Sequence, residues 1–413
     1  MLSEAAWRAG MTVLAPGVAG LLRHRARHGK EIEARLPERR GIDDAPRPPG
    51  RLVWIHAASM GEATSVLPLL EHLRGATVLM TTGTVTAANL VAARAPGVLH
   101  RFVPWDVPRW VDRFLDHWRP DAAAFVESEL WPNMLSACAR RRVRLLLLNA
   151  RLSVRSARRW GRAPGMAARM LRSFERIHAQ SPGDAERLLA LGARDVLADG
   201  DLKFAAPPLP APPDDVDALR RQVGARPAWL AASTHGGEEE VVAEAARQLR
   251  EAHPELLTVV APRHPARGEA AATALGGAPR RSQGRTPQPA NPFYVADTTG
   301  EMGVLFRALP VVLMGKSLLP PGGGQNPLEP ARLGCALACG PHTANFAVAT
   351  AALAGAGAVA TVADAASLAG WVGRMLSDPG ARHAAGQAAL AVSRAHEDLP
   401  RRLAGELLAM AQA

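Results

Sequence analysis

Lysine is almost missing from this 413-residue chain: it occurs only at Lys30, Lys203 and Lys316, although the formal net charge is +11. Arginine carries the positive charge, so the few ammonium groups stand out as places for a compact three-donor cation. Lys203 in Gly200–Phe204 and Lys316 in a glycine loop both fall in expected loops. Cysteine is equally scarce. Cys335 and Cys339 are spaced C-x-x-x-C in an apolar segment, and Cys138 is remote from both, with no matching His or Cys cluster. That argues against a disulfide framework or metal site and fits a reducing compartment. One tyrosine and eight phenylalanines leave few stacking platforms for a single-strand nucleic-acid binder, and no helix-turn-helix or zinc-finger spacing is evident. No nucleic-acid partner is expected. Low-complexity tracts are missing as well, and a hydrophobic content of 48% fits a folded protein.

What is present is strongly patterned. Between Arg140 and Arg176 there are twelve arginines and one acid, Glu175. A second basic stretch runs from Arg23 to Arg40. Such belts suit an anionic membrane surface or polymer. At the amino end, Trp7 to Leu22 is apolar but interrupted by Arg8, Gly10 and Pro16, and is shorter than the ~20 apolar residues of a spanning helix. Followed at once by His24, Arg25, Arg27, His28 and Lys30, it reads as an interfacial helix with a basic flank. Residues 1–28 are therefore expected to be a membrane-associating segment.

The body alternates short apolar runs with helical stretches. Leu52–His56, Thr77–Met80, Ala122–Val126 and Arg144–Leu148 read as strands, as do Ala228–Ala232, Leu256–Val260, Pro310–Met314, Ala336–Ala338 and Val359–Val362. Fully apolar strands separated by helices make parallel sheets covered on both faces. The proline-rich piece from Ala205 to Pro213 is a semi-rigid linker, and the length favours two cores. The expected fold class is α/β, with two doubly wound Rossmann-like domains facing across a cleft. Their bounds are 29–205 and 206–413, the final helix being free to return to the first domain. The string Gly355-Ala356-Gly357-Ala358-Val359-Ala360 has dinucleotide-fingerprint spacing but precedes its strand, so no NAD site is expected.

Two features carry chemistry. The run Gly315-Lys316-Ser317 through Gly322-Gly323-Gly324-Gln325-Asn326-Pro327-Leu328-Glu329 follows an apolar strand. Its glycines permit close backbone approach, and Asn326 with Pro327 reads as a helix start able to seat phosphate. The carboxyl ends of the amino-terminal strands carry Ser59-Met60-Gly61-Glu62, Glu127-Ser128-Glu129 and Asn149-Ala150-Arg151. Polar residues at successive strand ends point to a ligand site.

In chain order the motifs W-I-H-A with S-M-G-E, E-S-E-L-W-P-N, N-A-R-L-S, A-S-T-H-G-G-E-E, A-P-R-H-P and G-G-G-Q-N-P-L-E-P resemble the 3-deoxy-D-manno-octulosonic acid (Kdo) transferases of lipopolysaccharide synthesis. The resemblance implies a GT-B glycosyltransferase that moves Kdo from CMP-Kdo to a lipid A precursor (lipid IVA) at the cytoplasmic face of the inner membrane. It implies Glu62 as catalytic base, and Ser59, Gly61, Glu127, Glu129, Asn149 and Arg151 on the acceptor side. Donor contacts would come from Ser233, His235, Glu238, Pro262, Arg263 and His264, and from Lys316, Ser317, Gly323, Gly324, Asn326 and Glu329. No cofactor or metal is expected, since positive side chains and a helix terminus can meet the phosphate. Gln325 and Asp201 depart from the family's usual His and Asn. A nucleotide-sugar epimerase and a non-catalytic bilobal binding protein are the alternatives.

Overall fold

The computed structural model describes residues 4–412 and divides into two compact units, Met1–Ala206 with His396–Ala413, and Pro207–Ala395. Helix α1 (Glu4–Arg27) leads into the first sheet. Its strands are β1 (Leu52–His56), β2 (Thr77–Thr82), β3 (Leu99–Phe102), β4 (Ala122–Val126), β5 (Arg144–Ala150), β6 (Arg176–Ala179) and β7 (Val196–Ala198). All pair in parallel, in the order β3-β2-β1-β4-β5-β6-β7. The chain builds outward from β1 one way and from β4 the other, so the sheet reverses between these neighbours.

Alternate side chains of β1 enter different cores, Leu52 and Trp54 on one face and Val53 and Ile55 on the other. Both faces are buried, which is why the strand reads as a continuous apolar run. The second face is closed by the last helix, Leu399–Gln412, through Leu403, Leu407 and Met410.

The second unit repeats the plan. Its strands are β8 (Ala228–Thr234), β9 (Leu257–Pro262), β10 (Phe293–Val295), β11 (Val311–Met314), β12 (Ala336–Cys339) and β13 (Val359–Thr361). They too are parallel, in the order β10-β9-β8-β11-β12-β13, reversing between β8 and β11. The proline segment is tied onto this unit. Arg307 donates to the Leu209 carbonyl at 2.7 Å, and a Cβ on Gly303 would lie 2.2 Å from the Pro210 carbonyl oxygen.

Two expectations need correction. The amino-terminal helix is longer than the apolar stretch alone, 24 residues, or about 36 Å at 1.5 Å per residue. By length and composition it is sufficient to cross a membrane. One face packs against the body, with Leu22 buried against Val107 and Trp110, while Val13 and Leu14 are 78% and 59% exposed. The short strands β3, β6, β7 and β10 were not anticipated. β3 is Leu-His-Arg-Phe and β6 is Arg-Ile-His-Ala, too polar to announce themselves as buried strands.

Candidate functional site

Each sheet places its polar strand-end residues at its own reversal point, where an open parallel sheet leaves a crevice for ligands. In the first unit, β1 ends at His56 and the chain turns into α2 (Met60–Leu70). Ser59 caps that helix: its Oγ accepts from the Glu62 N–H at 3.3 Å and donates to Glu62 Oε1 at 2.8 Å. The other carboxylate oxygen accepts from the Ala58 N–H at 2.8 Å. Glu62 is thus oriented by its own turn, with 9% of its surface open. Burial pushes its carboxyl above the ordinary range; the Ser59 hydrogen bond opposes this, while Glu129 and Glu127 add to it. A Cβ on Gly61 would meet nothing nearer than Ser59 Oγ at 3.9 Å, so internal packing does not demand glycine beside this carboxylate.

Glu127 and Asn149 end the next two strands with left-handed backbone, φ 58° and 54°, an arrangement that costs a non-glycine residue ~1 kcal/mol or more. Their side chains both reach the turn at Asp201–Phe204. Lys203 Nζ lies 3.1 Å from Glu127 Oε1, and Asn149 Oδ1 accepts from the Leu202 N–H at 2.9 Å. Asp201 keeps the acceptor that an asparagine would offer, taking the Lys203 N–H at 2.9 Å. The scarcity of lysine was the sequence's signal for Lys203.

His56 carries no signal in the sequence beyond its place at the end of an apolar strand. Wholly buried, it sits between Thr81 Oγ1 at 3.0 Å and Glu129 Oε2 at 3.3 Å. Burial alone would raise Glu129, but the hydrogen bond and charge of His56, with the Trp131 hydrogen bond, bring it below its usual value. Neighbouring glutamates therefore differ in basicity, Glu62 up and Glu129 down. Arg151 is exposed.

In the second unit the same geometry recurs. Ser233, at a register shift near the end of β8, has φ 56°, and Lys316, just after β11, has φ 58°. Between them lies Glu238, buried and saturated. Oε1 accepts from the Ser317 and Leu318 N–H groups at 2.9 and 3.0 Å, and Oε2 from His235 and Lys316 at 2.9 and 2.7 Å. Glu238 therefore holds the loop and has no acceptor to spare for a donor molecule. Ser317 is corrected in the same way. It is fully buried, its Oγ donating to the Met314 carbonyl at 2.5 Å and accepting from the Gly340 N–H at 2.7 Å.

The glycines answer to the protein as well as to any ligand. Gly322, Gly323 and Gly324 all have positive φ, and a Cβ on each would press on His342, Asn345 and Thr343 at 2.2, 2.5 and 3.2 Å. The helix expected at Asn326 begins at Leu328 and ends at Ala331. Asn326 Oδ1 does accept from the Leu328 N–H at 3.1 Å, but Gly334 (φ 70°) turns the chain toward β12 after a single helical turn. A one-turn helix gives little dipole with which to seat an anion. Arg263 and His264 are exposed at the end of β9, following buried Pro262, and Lys316 is half-buried.

Glu329 is raised by burial, while the Asn326 hydrogen bond and the Arg332 and Arg263 charges oppose the shift. Burial also lowers His235, Lys316 and His264 adding to that against Glu238. Gln325 Nε2 lies 3.3 Å from His235 Nε2, so a neutral ring can accept from the amide.

Residues 34–206 match the family model described as 3-deoxy-D-manno-octulosonic-acid transferase (kdotransferase). A 3-deoxy-D-manno-octulosonic acid transferase of Bordetella pertussis is 35% identical over 398 residues, 92% of each chain. The chain belongs to the Kdo transferase family. A probable mitochondrial Kdo transferase of Arabidopsis thaliana is 36% identical over 79% of this chain and 76% of its own. The Haemophilus influenzae Kdo transferase is 33% identical over 76% of each. Members of this family are glycosyltransferases, and this chain is one.

Solved structures agree on the fold. UDP-GlcNAc 2-epimerase from Neisseria meningitidis superposes with a TM-score of 0.57 at 12% identity, covering 87% of this chain and all of that one. Acinetobacter baumannii MurG gives 0.54 at 13%, with the same coverage. At such identities they establish the GT-B architecture alone.

Proposed function

We propose that this Kdo transferase takes Kdo from CMP-Kdo and attaches it to a phosphorylated lipid A precursor, lipid IVA, at the cytoplasmic face of the inner membrane. The observation that carries the mechanism is Glu62: a carboxylate at the sheet reversal, held from both oxygens and made more basic by burial. It removes the proton of an acceptor hydroxyl as that oxygen bonds to the anomeric carbon. The bond to the CMP phosphate breaks, its electron pair leaves with CMP, and the anomeric centre inverts.

In this reading the first unit serves the acceptor. Ser59 orients the base, Glu127 and Asn149 fix the Lys203 turn beside it, and Glu129 and Arg151 line the approach. The second unit serves the donor. Lys316, Arg263 and His264 supply positive or hydrogen-bonding groups for the leaving phosphate, Asn326 and Glu329 take the nucleoside side, and Ser233, Gly323 and Gly324 shape the backbone. Glu238 and Ser317 act behind them by holding the loop. The exposed apolar face of α1 supports membrane placement.

The direct test is purified enzyme with CMP-Kdo and tetraacylated acceptor, followed by mass spectrometry. An acceptor heavier by one or more Kdo residues is expected. Recovery of unmodified acceptor from enzyme shown to be folded would overturn the reading.

A further inference from the structure

A cavity of about 440 Å³ lies in the first unit where α1 leaves the body. Ala15, Pro16 and Ala19 of α1 form one wall, and Trp110 of the helix Pro108–Trp118 forms another. Arg40, Arg109 and Arg113 also line it. These three guanidiniums have no carboxylate partner among the described residues. The nearby acids are committed elsewhere: Asp112 to Arg140 and Arg141, Asp116 to Arg141, Glu38 to Arg35, and Asp106 to the Asn133 and Met134 N–H groups and Trp7. Arg40 stacks over Trp110 at 6.0 Å with a buried Nε that meets no acceptor. Arg113 Nε reaches only the Arg109 carbonyl, at 3.3 Å.

Three unneutralised cations around one cavity repel each other, and an unpaired buried donor costs ~1–3 kcal/mol. Burial first, then the charges of Arg109 and Arg40, holds Arg113 below the ordinary arginine value. A phosphate would relieve all of this at once, since guanidinium forks match phosphate oxygens. The apolar wall supplied by α1 indicates what the phosphate is attached to. Val13, Leu14 and Leu21 lie exposed on the same helix, so a chain rising from the cavity along α1 enters the apolar medium that this helix requires.

We propose that the Arg40–Arg109–Arg113 cavity is a binding site for the phosphate of an anionic bilayer glycerophospholipid, fixing the enzyme's depth and orientation at the membrane. The inference rests on the membrane placement of α1 in the proposed function, and is independent of which sugar is transferred.

The test uses the full chain and vesicles of phosphatidylcholine alone or with phosphatidylglycerol added, whose anionic headgroups attract basic residues. The variant R40Q/R109Q/R113Q should bind phosphatidylglycerol vesicles at least ~10-fold more weakly than wild type, while binding to pure phosphatidylcholine is unchanged because α1 is intact. The control R94Q/R221Q/R374Q, which removes three exposed arginines elsewhere, should change binding less than ~2-fold. Equal losses in both triples would mean diffuse attraction, and no site. Kdo transfer to detergent-solubilised acceptor should keep its KM in the first variant. A ~10-fold rise there would assign the cavity to the acceptor and overturn the proposal. Should the triple variant lose its cooperative thermal transition, R109Q/R113Q, which leaves Arg40 against Trp110, replaces it under the same criteria. Failure of transfer in wild type would sink the proposed function while leaving the vesicle comparison valid.

Discussion

Carboxylates at strand ends do different work here because their partners differ. Glu62 has burial and like charges against two local hydrogen bonds, Glu129 has a buried histidine, and Glu238 has four backbone donors. Glu62→Gln should preserve the fold and nucleotide binding and lower turnover by ~10²-fold or more, measured by rate of Kdo addition; near-normal turnover would remove Glu62 from the mechanism. Its folded pKa is raised, so the acid limb of the wild-type kcat/KM profile should have a midpoint above the ordinary carboxylate range, activity falling as pH falls through it. That limb should vanish in the glutamine variant.

For the donor loop, Arg263→Ala should weaken CMP affinity in calorimetry with little change in melting temperature, since the side chain is exposed. Glu238→Ala should do the reverse in order of cause: four N–H groups lose their acceptor, stability drops by ~2–3 kcal/mol, and affinity follows from the disordered loop. If Glu238→Ala melts like wild type, the loop is held by something other than this carboxylate.

At the scale of elements, α1 is joined to the body by more than apolar packing. Trp7 Nε1 donates to Asp106 Oδ2 at 2.9 Å, and Asp106 also accepts from the first-turn N–H groups of the helix Pro132–Arg140. Burial pushes the Asp106 carboxyl up to about 6, with those hydrogen bonds opposing the shift. A raised carboxylate pKa means that protonation favours the folded state. The contribution is full below the unfolded value and is lost as pH rises through about 6. Asp106→Asn should therefore flatten this part of the stability–pH curve between its ordinary range and neutrality, as followed by chemical denaturation. A variant curve parallel to wild type would place the titration elsewhere.

The same helix predicts partition. Without residues 1–28, most protein should be released from anionic vesicles in flotation while activity on solubilised acceptor persists. Complete flotation of the truncated protein at high salt would locate the anchor elsewhere.

At the scale of the molecule, the carboxyl-terminal helix belongs to the unit from which it is most distant in sequence. Leu399, Leu403, Leu407 and Met410 are buried in the first unit's core, and Arg176 and His178 of β6 both meet Glu406 at 3.1 Å. Four large apolar side chains contribute roughly 1.5–3 kcal/mol each, a sum comparable with the whole stability of a domain, about 5–15 kcal/mol. A chain ending at Ala395 should therefore lose the cooperative unfolding of its first unit, seen by calorimetry. Retention of the wild-type transition would show that the helix only covers an already complete core.

The sequence by itself determined the strand–helix alternation, the doubly wound class and the motif series at the strand ends. Hydrophobic periodicity and glycine or proline punctuation are local, and a fully buried parallel strand such as Leu52–His56 needs only its own residues to be recognised. The tertiary structure alone decided which motif residues face outward. Glu238 and Glu62 look equivalent as acids near helix starts, yet one accepts four backbone N–H groups, three of them from a loop about eighty residues away, and the other takes only two hydrogen bonds, both from its own turn. His56 looked like part of a strand until β2 and Glu129 closed around it. The left-handed backbone at Glu127, Ser233 and Lys316 is likewise invisible in sequence, since of the four such strand-end residues only Asn149 is of a type that favours positive φ. Such assignments depend on partners distant along the chain. Burial, charge and hydrogen bonding act through space, and the sequence names the groups without naming their neighbours.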